Sequence, residues 1–217
     1  FPKFKAKKKA RLSYRTQKFI RPSGTTNIEI KDNKIKLPKL SWVKFAKSRE
    51  VKGKINNVTV SKSRSGRYYI AVNVREILKT TVNNKDSEIG INLGIKDFAI
   101  TSKGETIENP RHLSKYEDKL AKLQRRLARK EKGSNNWHKL KTKIAKVHQK
   151  IKNVREDFLH KLSTRLVKEN QLICLESLNI KGMLKNSKLA KHIADVSWGT
   201  FVNMLEYRRL KPNLAPG

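Results

Sequence analysis

Two polar residues, Asn92 and Glu176, stand next to apolar strand patterns and offer oxygen atoms of the type that ligate hard metal ions. Asn92 lies in Ile89-Gly90-Ile91-Asn92-Leu93, on the face opposite Ile89, Ile91 and Leu93. Glu176 follows the apolar run Leu172-Ile173-Cys174-Leu175. Between them the sequence reads as a hairpin and two helices, an order that can bring the two strands side by side. A two-metal phosphodiesterase holds its ions about 3.5–4 Å apart. Mg²⁺ takes hard oxygen ligands, chiefly carboxylates. Asn92 offers a neutral carbonyl oxygen and no charge. On spacing alone the pair is a weak signal, because a Glu at a strand end is more often a surface carboxylate.

The second chemistry is carried by charge. The chain has 217 residues with 52 Lys and Arg against 18 Asp and Glu, a formal net charge of +34. Such a surplus repels itself unless a polyanion neutralises it, and nucleic acid is the obvious partner. Residues 1–21 contain Lys3, Lys5, Lys7, Lys8, Lys9, Arg11, Arg15, Lys18 and Arg21 and no acid, with Phe1, Phe4, Tyr14 and Phe19 interleaved. Cations alternating with rings suit a segment that tracks a backbone and stacks bases. The competing reading is a disordered basic arm. A second candidate surface is helical: Lys119, Lys122, Arg125, Arg126, Arg129, Lys130, Lys139, Lys141, Lys143 and Lys146 face outward with few acids for i,i+4 pairs. Plain solvation is the alternative there. Lys181, Lys185 and Lys188 lie in a polar, basic loop after Glu176 and complete the candidate contacts.

The elements that must position these residues fall in two groups. Residues 27–78 read as short strands: Ile28 and Ile30, a turn at Asp32-Asn33, then Ile35 and Leu37 before Pro38. Trp42, Val43 and Phe45 are expected in the core. Val58-Thr59-Val60 and Tyr68 to Val74 flank a turn with Gly66. Regular short strands suggest a small barrel or sandwich. Residues 79–87 are polar and read as a linker. The period then changes. Leu113, Tyr116, Leu120, Leu123 and Leu127 recur at helical spacing, Gly133-Ser134-Asn135 interrupts, and Trp137, Leu140, Ile144, Val147, Ile151, Val154 and Phe158 resume it. This predicts an antiparallel helical hairpin over about residues 112–168. Leu172 to Leu175 reads as a central strand with Cys174 in the core, and Trp198, Phe201, Val202 and Leu205 as an amphipathic helix.

No run of about 18 apolar residues is present, so no membrane span and no membrane partner are expected. One cysteine excludes an internal disulfide and a cysteine zinc site within these residues. A reducing, intracellular compartment fits. The first residue is Phe1 rather than Met, so an N-terminal part of the natural protein is expected to be missing.

The segments GINLGIKDFAITSKGETIENPR, KLAKLQRRLARK, DFLHKLSTRLV and LICLESLNIKGMLKNSKLAKHIADVSWGTFVNMLEY resemble the transposon-encoded TnpB (OrfB) family of RNA-guided DNA nucleases. The resemblance runs from about residue 1 to Tyr207. It implies a partial wedge-type β-barrel domain over 1–84 and a truncated RuvC (RNase H-like) α/β domain over 85–217, with the helical hairpin inserted. Asn92 then occupies the position of the family's first catalytic Asp, and Glu176 matches its catalytic Glu. The family's zinc element and third acidic motif have no counterpart before Gly217. The resemblance is therefore greatest to nuclease-dead, TnpB-like repressors. It implies guide RNA and double-stranded target DNA as partners and transcriptional repression by occupancy. It implies no nuclease activity, no zinc or Mg²⁺ requirement, and no small-molecule substrate. A bacterial, nucleoid-associated location follows from that reading. The alternative is a fragment or catalytic-site mutant of an active endonuclease. A generic basic RNA-binding protein explains the charge but not the order of motifs.

Overall fold

The computed structural model describes residues 12–76, 87–176, 178–183, 185–186 and 190–209. They fall into two compact units, one ending at 76 and one beginning at 87. The expected boundary at residues 84/85 and most of the expected linker lie outside the described residues.

The first unit holds six strands: β1 (Ser13–Gln17), β2 (Glu29–Lys31), β3 (Lys34–Leu37), β4 (Ser41–Lys44), β5 (Lys54–Lys62) and β6 (Tyr68–Arg75). They form two three-stranded antiparallel sheets, β1-β5-β6 and β2-β3-β4. Alternation decides what each sheet buries. Ile28, Ile35, Leu37 and Val58 are fully enclosed, with Ile30, Val43, Phe45, Val60, Ile70 and Val72 packed around them. Asn27 is buried and pins the chain between the sheets: its Oδ1 accepts from the Phe19 N–H at 2.8 Å and its Nδ2 donates to the Gln17 carbonyl at 2.7 Å. The expected barrel is not found; among the described residues no sheet closes on itself. Strands β2 and β4, of three and four residues, stay at the edges of their own sheet, and residues 45–53 between β4 and β5 form no strand to bridge the two.

The second unit contains β7 (Glu88–Leu93), β8 (Asp97–Thr101), β9 (Thr106–Glu108), α1 (Ser114–Ala128), α2 (Asn135–Glu169), β10 (Leu172–Leu175), α3 (Ile180–Met183), α4 (Ala190–Val196) and α5 (Trp198–Arg209). The sheet order is β10-β7-β8-β9, with β7, β8 and β9 antiparallel and β10 parallel to β7. A parallel neighbour needs a long crossover, here α1 and α2. Gly94 is required at the β7–β8 turn, since a Cβ there would lie 2.9 Å from the Asp97 carbonyl oxygen.

Helix α2 starts where Ser134, with extended backbone, accepts the Trp137 N–H at 3.2 Å. It runs for 35 residues, roughly 50 Å. Its first half packs on α1 through Leu120, Val147 and Ile151, with Tyr116, Leu123 and Ile144 at the margin. Its second half enters the main core through Leu159, Leu162 and Leu166, alongside Ile89, Ile91, Leu93, Trp198 and Phe201. Phe98 sits at the centre, edge-on to Phe158 and to Phe201 at 5.1 Å each. Asn170 ends the helix: it is buried, and its Nδ2 donates to the Leu166 carbonyl at 3.0 Å.

Two expectations for β10 are corrected. It is the outer strand of the described sheet rather than a central one, and Cys174 is exposed rather than in the core. Alternation is the reason. Ile173 and Leu175 face the core, which leaves Leu172, 48% exposed, and Cys174 on the open side.

Candidate nucleic-acid interface and ligand pair

Parallel pairing of β10 with β7 ends at Leu175 opposite Ile91. Glu176 and Asn92 are the next residues along these adjacent strands. Both are exposed. On its other side Asn92 pairs with Ile100 of β8, itself 46% exposed. Gly90, two residues earlier, adds no bulk to this side, and its N–H is held by Ser102 Oγ at 3.0 Å. The open face of the sheet thus carries the Asn92 amide, and the Glu176 carboxylate follows the end of the adjacent strand. Both are oxygen donors of the kind Mg²⁺ prefers. Among the described residues, however, no group of three or more His, Cys, Asp or Glu could hold a metal ion. The pair alone therefore does not fit a two-metal centre, and no chemical step is assigned to it.

The helix pair carries the larger electrostatic feature. Between residues 119 and 150 there are twelve Lys and Arg and one acid, Glu131. Lys119, Lys122, Arg125, Arg126, Arg129 and Lys130 on the first arm, and Lys139, Lys141, Lys143 and Lys146 on the second, are all exposed. None of them forms an ion pair among the described residues. Lys141 instead lies 4.5 Å from the centre of the Trp137 ring. Leu120 and Ile144 occupy the opposite sides of these helices and explain the stripe: the 3,4 spacing that makes the seam also gathers the cations.

Ion pairs collect at the other end of the pair. Lys152 meets Glu156 at 3.5 Å, Lys161 meets Asp157 at 2.8 Å, and Arg165 meets Glu105 at 2.7 Å. The Glu105 hydrogen bond is the main cause raising the Arg165 pKa. Lys191 of α4 pairs with Glu117 of α1. Asp195 of α4 accepts the Leu113 N–H at 2.9 Å, just before α1, and its other oxygen lies 3.6 Å from Arg155 of α2. His112 is half-buried beside this junction. Burial lowers its pKa, Asp195 acts in the opposite sense, and Lys115 and Arg155 add to the lowering. Its Nε2 has no hydrogen-bond partner.

The described residues include part of the basic arm. Lys3, Lys5, Lys7, Lys8, Lys9, Arg11 and Lys188 lie outside the described residues. Tyr14 and Arg15 are neighbours on β1 and so point to opposite faces of its sheet. Tyr14 shares the Val60 side, where its hydroxyl donates to the Pro38 carbonyl at 3.3 Å, and Arg15 shares the Thr59 side. Lys18 lines a cleft of about 520 Å³ together with Glu29, Asp32 and Glu50. Arg21 is exposed in the turn after β1, where its N–H bonds the Thr25 carbonyl. Lys185 is exposed after α3, and Lys181 lies within that helix. Among the described residues, the helical cations line α1 and α2, while Arg15, Lys18 and Arg21 of the arm lie at separate places.

Sequence reading also misplaced Trp42, which is 40% exposed and not in the core. Alternation in Trp42-Val43-Lys44-Phe45 was the available signal: once Val43 and Phe45 face inward, Trp42 and Lys44 face out.

A class of transposon-associated protein now emerges from comparison. The sequence profile described as "OrfB_IS605: Probable transposase" matches residues 58–187. A protein of Streptomyces pristinaespiralis named "Putative RNA-guided DNA endonuclease" is 36% identical over 210 residues, covering 96% of this chain and 50% of the relative. "Putative RNA-guided DNA endonuclease InsQ" of Escherichia coli K12 is 34% identical over 225 residues, covering 97% and 54%. "TnpB-like protein L79" of Acanthamoeba polyphaga mimivirus is 29% identical over 168 residues, covering 71% and 32%. The chain belongs to the TnpB/OrfB_IS605 family. It spans about half the length of the first two relatives.

These relatives overturn the expectation that the protein is not an enzyme. The Streptomyces and Escherichia relatives, which match nearly the whole chain, are named as putative endonucleases. The expectation rested partly on the absence of a third carboxylate before Gly217, and where these 217 residues end carries no information about ligands elsewhere. Its other support was Asn92, a single amide that still offers an oxygen. Among the described residues, no helix is long and apolar enough to cross a membrane.

Proposed function

We propose that this chain is the part of an RNA-guided DNA endonuclease that grips guide RNA and target DNA through backbone contacts. The observation that carries the reading is the acid-poor stretch from Lys119 to Lys150, whose exposed cations have no ion-pair partners among the described residues. In such a system base pairing reads the target sequence, while the protein holds the heteroduplex by its backbone. The names of the relatives supply the guide and the reaction. Binding itself needs neither zinc nor Mg²⁺ from this chain. Occupancy of a promoter by the complex would repress transcription as a consequence of binding, whether or not cutting follows. The first unit is read as wedge-like and the second as RuvC-like, with Asn92 and Glu176 at the reactive edge and further ligands contributed from outside these residues.

The test uses the full-length protein. It should co-purify with a discrete RNA whose sequencing names the target, and retain that RNA in EDTA. Matched DNA should be cut, with Glu176→Gln slowing the reaction and Asn92→Asp raising it. A heterogeneous RNA population, or cutting indifferent to Glu176, would contradict the proposal.

A further inference from the structure

The outer face of the sheet β2-β3-β4 holds a second concentration of like charge. Register places Lys31 opposite Lys34 and Lys34 opposite Lys44, a row of three lysines across three strands. The adjacent row is Glu29, Lys36 and Trp42. Directly opposed residues share a face of an antiparallel sheet at about 4.5–5.5 Å between Cβ atoms, and like charges there are destabilising. The inner face offers no such conflict, since Ile30, Ile35 and Val43 pack into the core.

The counter-charge on the outer face is small. Lys31 lies 3.2 Å from Glu29 and 5.9 Å from the centre of the Trp42 ring. Lys34, Lys36 and Lys44 have no ion pair among the described residues. Trp42 keeps 40% of its surface exposed beside them. The structure thus sets a large ring and four ammonium groups on one short, regular face.

We propose that this face binds a single-stranded stretch of nucleic acid, with successive phosphates on the row Lys31, Lys34 and Lys44 and one base stacked on Trp42. Phosphates would relieve the cross-strand repulsion, and an aromatic platform accepts any base. A duplex keeps its bases stacked on each other and would leave the ring unused. The inference rests on the nucleic-acid reading above but uses different residues and a different unit.

The experiment titrates the full chain with labelled single-stranded RNA, single-stranded DNA of the same sequence, and the corresponding duplex. Both single strands should bind more tightly than the duplex per accessible site. Trp42→Ala should weaken single-strand binding about tenfold and leave duplex binding unchanged, with Trp42→Phe restoring most of the loss. Lys34→Gln with Lys44→Gln should reduce the salt slope for single strands by about 1.4, or ~0.7 per phosphate contact. Far-UV circular dichroism checks that each variant is folded. The proposal fails if these variants titrate as the parent, if Trp42→Ala affects duplex and single strand alike, or if vesicles of anionic lipid bind in a Trp42-dependent way. Loss of binding only in variants of Lys122, Arg126, Lys143 and Lys146 would sink this site and leave the earlier reading standing. Absence of nucleic-acid binding in the parent would sink both.

Discussion

The two ends of the helix pair use the same residue types for opposite purposes. From residue 119 to 150, across the end of α1 and the start of α2, twelve cations face one acid. From 151 to 169, in the second half of α2, five cations meet three acids, and the ion pairs of Lys152, Arg155, Lys161 and Arg165 fall there. Among the described residues, the first half of α2 packs on α1 through the small cluster around Leu120 and Ile151. The second half is built into the sheet core through Leu159, Leu162 and Leu166. One end is charged beyond what folding requires, and the other is neutralised and anchored. On the proposed reading, the anchored cations are paired, and those with no ion pair among the described residues would be neutralised by a polyanion.

Separating stability from binding should break this comparison if it is wrong. The largest effect is expected from Leu166→Ala, at a residue with no exposed surface. It should cost about 2–5 kcal/mol in unfolding free energy by denaturant titration, while the folded fraction binds nucleic acid normally. Next is the combined change Lys122→Glu, Arg126→Glu, Lys143→Glu and Lys146→Glu. It should lower duplex affinity on the order of a hundredfold and flatten the salt slope by about 3.6, or ~0.9 per contact. Its melting temperature should stay level or rise. If stability collapses and affinity holds, the two halves have been assigned the wrong way round.

A smaller loss, about 1–2 kcal/mol, is expected for Asp195→Ala, which leaves the Leu113 N–H without its acceptor and removes the ion pair with Arg155. Thermal melts would measure it, and binding by the distal cations should change little. The smallest effect concerns pH. The folded state holds His112 below its ordinary value of 6.5. The unfolded chain therefore binds the proton more readily, so the His112 contribution is fully present above pH 6.5 and is lost as pH falls below it. His112→Gln should make the melting temperature less sensitive to pH between neutrality and mild acid. An unchanged pH profile would remove His112 from the account of the anchored end.

Much of this was legible in the residues. Heptad spacing of Leu113 to Leu127 and Trp137 to Phe158 located both helices, and Gly133-Ser134 located the turn between them. The order of elements allowed the strands that precede Glu176 and contain Asn92 to be neighbours, as β10 and β7 are. What was not legible depends on long-range pairing. An apolar run such as Leu172 to Leu175 reads the same at the centre of a sheet as at its edge, and only its partners decide. The row Lys31, Lys34 and Lys44 exists only in the register of three strands. Asp195 lies eighty-two positions from the Leu113 N–H it accepts, beyond any periodic pattern. The absence of enzyme activity was inferred from one amide and a chain end, neither of which constrains residues outside the sequence in hand.

The most direct test of the central claim compares two DNA duplexes for binding by the full-length protein purified with its own RNA. One duplex matches the guide segment of that RNA, and the other has the same composition in scrambled order. Matched DNA should bind at least about a thousandfold more tightly at physiological salt, and the preference should disappear when the RNA is digested. Equal binding of the two duplexes, or a preference that survives ribonuclease, would contradict RNA-guided recognition.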